Sequence, residues 1–142
     1  MSFITKECNL FQSVNFTSHS GKKLNWKIEC DGISNEEWVT IAEMIYEFEP
    51  RNFRDVEGIP RGGKKLEEKL KGYATGNEHD PLLIVDDVMT TGSSFEEYYL
   101  ERLGGKPTTD PEVRAGFFGW TVFARGSGPK WVSSLFTMPI KL

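Results

Sequence analysis

Leu82-Leu83-Ile84-Val85-Asp86-Asp87-Val88-Met89-Thr90-Thr91-Gly92-Ser93-Ser94 is the stretch whose reading decides the fold. Leu82 to Val85, opened by Pro81, is an unbroken apolar run, the pattern of a strand covered on both faces. Asp86 to Gly92 reads as the turn at its carboxyl end. A helix is expected from about Ser93, with Phe95, Tyr99 and Leu103 facing inward and Gly104-Gly105 ending it. Buried strand, polar turn and amphipathic helix make half of a βαβ unit, so an α/β fold with a mainly parallel sheet flanked by helices is expected.

The same grammar continues outward in both directions. Upstream, Phe53 to Glu57 is expected as a strand and Gly58 to Gly63 as its turn, with Leu66, Leu70 and Tyr73 on the inner face of the next helix. Downstream, Phe117 to Ala124 reads as a third buried strand and Trp131 to Met138 as an edge strand. Ser34-Asn35-Glu36-Glu37 has capping-box spacing, and Trp38, Ile41, Ala42, Ile45 and Phe48 follow at helical intervals until Pro50. Before that helix, Val14 and Phe16, then Leu24, Trp26, Ile28 and Cys30, alternate with polar residues across Ser20-Gly21-Lys22-Lys23. That is the pattern of a hairpin. A length of 142 residues suits one domain. Residues 1–33 would form the hairpin and residues 34–142 the core, with no repeat or linker between them.

Composition narrows the function classes. Apolar residues make up 38% and charged residues 27% of the chain, and no apolar run approaches the ~20 residues that span a bilayer. Met-Ser-Phe-Ile-Thr-Lys lacks the basic start and long apolar stretch of a signal peptide, so a cytoplasmic location is expected. Cys8 and Cys30 have no metal-type spacing and are read as reduced structural thiols. The formal net charge is −4, which argues against a broad nucleic-acid-binding face and favours a small metabolite as partner.

The chemistry concentrates at the two Gly-rich turns. Asp86 and Asp87 stand at the carboxyl end of a buried strand, where open α/β sheets bind ligands. Two adjacent carboxylates suit the vicinal hydroxyls of a ribose. The helix start that follows, Thr90, Thr91, Gly92, Ser93 and Ser94, presents backbone N–H groups and hydroxyls to a phosphate. Diol at one end and phosphate at the other describe a 5-phosphoribosyl group. In the earlier turn, Gly58-Ile59-Pro60-Arg61-Gly62-Gly63, glycines permit close approach of an anion while Arg61, Lys64 or Lys65 neutralise it.

On these residues the chain resembles the type I phosphoribosyltransferases, and among them most the orotate phosphoribosyltransferases. The motif of that family is an apolar strand, two acidic residues, two spacers (here Val88 and Met89) and Thr-Thr-Gly. Its pyrophosphate loop is similar to Ile59, Pro60, Arg61, Gly62, Gly63 and Lys64, and often contains a cis peptide. The segment Phe16 to Lys27 is similar to the substrate hood, which implies base-binding roles for Ser20, Lys22, Trp26 and Lys27. Arg125 falls where orotate-type members place an arginine against the base, although Ala124 stands where an acidic residue is expected. The resemblance implies a Rossmann-like phosphoribosyltransferase fold with a hood. It also implies a pentosyltransferase that joins a nucleobase, orotate favoured, to 5-phosphoribosyl-1-pyrophosphate, as in pyrimidine biosynthesis. Asp86, Asp87 and Arg61 are then the expected catalytic residues. Mg2+ would be carried on the ligand with the two aspartates behind it, and a homodimer is the expected assembly. A 6-oxopurine acceptor is disfavoured, because Thr90 stands where purine-specific members carry an aspartate.

Two other readings fit parts of the pattern. A non-catalytic sensor of phosphoribosyl pyrophosphate or a nucleotide would need the same binding residues without turnover. The expected lid, Gly72 to Asp80 with His79 and Lys71, is short for excluding water. Gly58 and Gly63-Lys64-Lys65 also approach the phosphate loop of an NTPase, but Lys65 occupies the position where Ser or Thr must hold magnesium.

Overall fold

In the computed structural model, residues 10–17, 23–102 and 116–138 are described. Two strands, β1 (Phe11–Thr17) and β2 (Lys23–Ile28), form the antiparallel hairpin, with Phe11 opposite Ile28 and Thr17 opposite Lys23. The backbone N–H of Glu29 donates to the carbonyl of Leu10 and closes the foot of the hairpin. The turn expected at residues 20–23 falls mostly outside the described residues.

Helix α1 (Asn35–Phe48) begins at a complete capping box: Ser34 Oγ accepts from Glu37 N at 3.1 Å and Glu37 Oε1 from Ser34 N at 2.9 Å. Its Trp38, Ala42 and Ile45 are buried, as their spacing requires. Phe48 departs from the expected inner face, being 66% exposed on the last turn before Pro50.

The core is a four-stranded sheet in the order β3-β4-β5-β6. Its strands are β3 (Asp55–Gly58), β4 (Leu82–Met89), β5 (Phe117–Arg125) and β6 (Val132–Met138), and every neighbouring pair is parallel. Two expectations shift. The first core strand starts at Asp55 rather than Phe53. The second runs past Val85 to Met89, because β5 continues to pair with it through Val88–Phe123 and Met89–Ala124.

Alternation along β4 explains its unbroken apolar run. Leu83 and Val85 join Trp38, Ala42, Ile45, Leu66 and Leu70 on one face, the face of α1 and α2 (Lys64–Leu70). Leu82 and Ile84 join Phe95 and Tyr99 of α3 (Ser93–Arg102) on the other. Each fully buried side chain of this kind contributes ~1.5–3 kcal/mol relative to leaving it in water. Tyr73, expected inward, is half-buried and stacks on Tyr46 with ring centroids 4.3 Å apart. Leu103, Gly104 and Gly105 lie outside the described residues.

The connection from α2 to β4 corrects the expected lid. Thr75 N donates to Phe53 O at 2.8 Å and Gly76 N to Arg54 O at 3.0 Å, while Arg54 N donates to Pro81 O at 2.9 Å. Phe53, Arg54 and Pro81 precede β3 and β4, so Gly72 to Asp80 lies at the amino end of the sheet, a strand length away from Asp86. Lys71 pairs with Asp55 at 3.0 Å at that end, and His79 is exposed beside Glu78. Neither can close over a ligand at the carboxyl end.

Candidate functional site

Asp86 and Asp87 belong to the carboxyl-terminal half of β4, followed by Val88 and Met89. Each carboxylate takes the backbone N–H of the next residue: Asp87 N donates to Asp86 Oδ1 at 2.8 Å and Val88 N to Asp87 Oδ1 at 2.7 Å. The side chains are thereby oriented by their own backbone, and the two carboxyls also contact each other, with the Cys30 thiol against Asp87. Asp86 is 7% exposed. Burial first, and then the neighbouring Asp87 carboxylate, push its pKa up to about 8. Burial and the neighbouring carboxylate both favour the protonated form of Asp86.

Beyond Met89 the chain turns through Thr90, Thr91 and Gly92 into α3. Gly92 has φ +86°, a conformation that favours glycine. Thr91 Oγ1 and Ser93 Oγ lie 2.7 Å apart, and Glu96 N closes the first turn on Gly92 O at 3.0 Å. A hollow of about 100 Å³ is lined by Asp86, by Val88 to Ser94 and by Phe95. Hydroxyls and the start of α3 thus form a cup, with Asp86 in its wall and Asp87 next in the chain.

The earlier Gly-rich turn meets this cup. Ile59 N donates to Val85 O at 2.8 Å, so the turn is tied to β4 one residue before Asp86. The peptide between Pro60 and Arg61 is cis, at the position where the resemblance implies one. A Cβ on Gly62 would fall 2.3 Å from Asp87 Oδ1, so the turn touches the acid there and any side chain at 62 would have to push the carboxylate aside. Arg61 and Lys65 are exposed and Lys64 reaches Glu67 at 3.4 Å. The amides of Gly63 and Lys64 donate to Ile59 O and Arg61 O, so these two are committed within the turn. A second hollow of about 460 Å³, lined by Ile59, Pro60, Ser94, Glu97, Tyr98 and Glu101, shares Ser94 with the cup. Its carboxylates make it a poor place for another phosphate.

Among the expected base-binding residues, Ser20 and Lys22 lie outside the described residues, as do the side chains of Trp26 and Lys27. Arg125 ends β5, one residue past the Met89–Ala124 pair, and so stands at the carboxyl edge beside the cup. Its side chain is buried, and burial lowers its pKa. Two residues were not anticipated as part of the site. The Cys30 thiol is held well above its ordinary range by burial and by the Asp87 carboxylate it faces, so Cys30 belongs to the acid pair's surroundings and is kept protonated. Pro129, from the β5–β6 connection, backs Gly92. Nothing local in the sequence marks either one.

A parallel sheet with flanking helices, an acid pair late in its second strand and a cup after it, a Gly-rich cis-peptide turn after its first, and a hairpin ahead of both make up the type I phosphoribosyltransferase fold. No protein-family model matches the sequence, and no curated protein sequence matches it. Solved structures do. The chain is similar to orotate phosphoribosyltransferase from Aeropyrum pernix, with 16% identity over 91% of this chain and 88% of that one and a TM-score of 0.63. It is similar also to the Mycobacterium tuberculosis orotate phosphoribosyltransferase, with 14% identity over 90% and 89% of the two chains and a TM-score of 0.60. A phosphoribosyltransferase from Corynebacterium diphtheriae matches at 15% identity over 81% and 84%, with a TM-score of 0.60. At such identities the likeness is one of fold. No helix among the described residues is long and apolar enough to cross a membrane.

Proposed function

We propose that the protein is a phosphoribosyltransferase, which displaces pyrophosphate from 5-phosphoribosyl-1-pyrophosphate by a ring nitrogen of a nucleobase, orotate being the favoured acceptor. The observation that carries this reading is the cup of Thr90 to Ser94 opening beside Asp86 and Asp87, a phosphate site next to a diol site on one short loop. The 5′-phosphate is assigned to the cup, the ribose hydroxyls to the carboxyls of Asp86 and Asp87, and the pyrophosphate to Arg61 and its neighbouring lysines.

Little proton transfer by side chains is needed. The C1′–O bond to pyrophosphate breaks as the base nitrogen bonds to C1′, and the leaving group departs as an anion. Holding the sugar at both ends, in line with acceptor and leaving group, supplies ~7–11 kcal/mol of barrier reduction. Orotate reacts as an anion, which suits a loop with Thr90 in place of a third carboxylate. The donor set bears on magnesium: each acid has one oxygen committed to backbone N–H, and burial disfavours the ionised form of Asp86. That set fits a magnesium ion carried by the ligand, with Asp86 and Asp87 behind it. When bound, the ion would neutralise charge on the departing pyrophosphate.

Incubation with magnesium, phosphoribosyl pyrophosphate and a panel of bases, following pyrophosphate and nucleotide, tests the reading. Pyrophosphate released only in the presence of a base supports it, with orotate the most active. Loss of binding and turnover in the Asp86→Asn, Asp87→Asn double variant, by at least about tenfold in calorimetric affinity, would locate the site. The second reading, a sensor that binds without turnover, is favoured by the position of residues 72–80 at the opposite end of the sheet. Tight binding with no pyrophosphate from any base would select it.

A further inference from the structure

Residues 126–131 do more than join β5 to β6. The two strands are parallel neighbours, with Arg125 level with Met138 and Gly119 level with Val132. The connection must therefore return along the sheet by ~20 Å, at ~3.3 Å per strand residue, in a short segment that bends at Gly126 and ends in a turn before β6. Crossovers between parallel strands ordinarily take a dozen or more residues. So short a strap has little slack with which to drift.

It is also fastened along its length. Gly126 N donates to Met138 O at 3.2 Å, Val132 N to Pro129 O at 3.1 Å and Gly119 N to Trp131 O at 2.9 Å. Trp131 sits among Phe95, Tyr99 and Phe117, with ring centroids 5.7, 5.8 and 5.0 Å away. Its indole N–H donates to Glu96 Oε1 on α3 at 3.4 Å.

The middle of the strap bears on the cup. A Cβ on Gly92 would lie 2.2 Å from Pro129 Cδ, and a Cβ on Gly128 would lie 2.6 Å from the Sδ of Met89. Met89 and Gly92 bracket Thr90 and Thr91. Both ends of the loop thus rest on two consecutive strap residues, one of them a proline whose φ is fixed. Pro129 is absent from the residues that line the cup, so it acts through Gly92.

We infer that the strap is the positioning element of the phosphate cup, with Pro129 as its key positioning residue, an assignment that rests on the phosphoribosyl reading of that cup. The 5′-phosphate stays bound from substrate to transition state. Loosening its cup removes binding common to both, which raises KM and spares kcat.

The test uses the full chain carrying Pro129→Gly, with Gly128→Ala as a second variant that presses only on the flexible Met89 side chain. KM for phosphoribosyl pyrophosphate should rise about tenfold in Pro129→Gly while kcat stays within about twofold. The thermal protection that inorganic phosphate gives the wild type should be lost. Gly128→Ala should move both readouts in the same direction by less, and it decides the matter if Pro129→Gly does not fold. Wild-type KM and wild-type phosphate protection in the folded variants overturn the assignment and leave the phosphoribosyl reading intact. A fall in kcat at unchanged KM overturns it too. A wild-type protein that phosphate does not protect and that neither binds nor uses phosphoribosyl pyrophosphate removes the reading itself, and the strap's role with it. Should the protein bind without turnover, calorimetric affinity takes the place of KM, with the same about tenfold loss expected.

Discussion

Asp86 and Asp87 meet at the end of a strand whose other residues are apolar, and burial there disfavours the ionised form of Asp86. Its pKa rises from 3.8 to about 8 in the folded chain. Between those values the folded chain holds a proton that the unfolded chain has lost. The resulting stabilisation is complete below about pH 4 and disappears as pH rises through about 8. Asp86→Asn should therefore flatten the fall in stability across that window and melt ~5 °C or more above the parent at pH 8, while losing ligand affinity. A variant that melts no higher, followed by circular dichroism at pH 5 and pH 8, would show that Asp86 is not strained by its burial. Gly62 is the complementary case. Its missing side chain is what lets the Gly58 to Gly63 turn touch Asp87, so Gly62→Ala should displace that carboxylate. Affinity for phosphoribosyl pyrophosphate should then fall about tenfold, read by calorimetry.

The elements themselves were largely legible from pattern. The capping box and the spacing of Trp38, Ala42 and Ile45 located α1, because both signals arise within a few residues of the helix they mark. Their limit is Phe48, which keeps the helical spacing yet points into solvent. β4 was legible as a strand, but its end was not: pairing with Phe123 and Ala124, more than thirty residues on, carries it past the acids to Met89. Its centre is where the fold is most exposed to damage. Leu83 is fully buried against α1 and α2, and Leu83→Ala should cost ~2–5 kcal/mol in urea unfolding. The acid pair lies at the end of the same strand, so the loss should also reach ligand affinity.

Direction of travel governs what the assembled molecule can bring together. In a parallel sheet every helix returns the chain to the amino ends of the strands, so the α2–β4 connection is carried away from the site. Lys71 and His79 follow it. His79→Ala and Lys71→Ala should accordingly leave both KM and kcat of any transferase activity at wild-type values; a tenfold loss in either would restore a lid role to this segment. The rule that places this connection is general, and strand order alone suffices to put Gly72 to Asp80 at the amino end. The amino-acid sequence settled the α/β class and the place of the two Gly-rich turns after buried strands, because strand and helix periods and turn chemistry are written in residues close together along the chain. Tertiary structure alone decided that Cys30 faces Asp87, that Gly62 touches it, and that Pro129 backs Gly92. Those contacts depend on sheet register and on the path of a short crossover, quantities that belong to pairs of residues far apart in the chain and that no local pattern records.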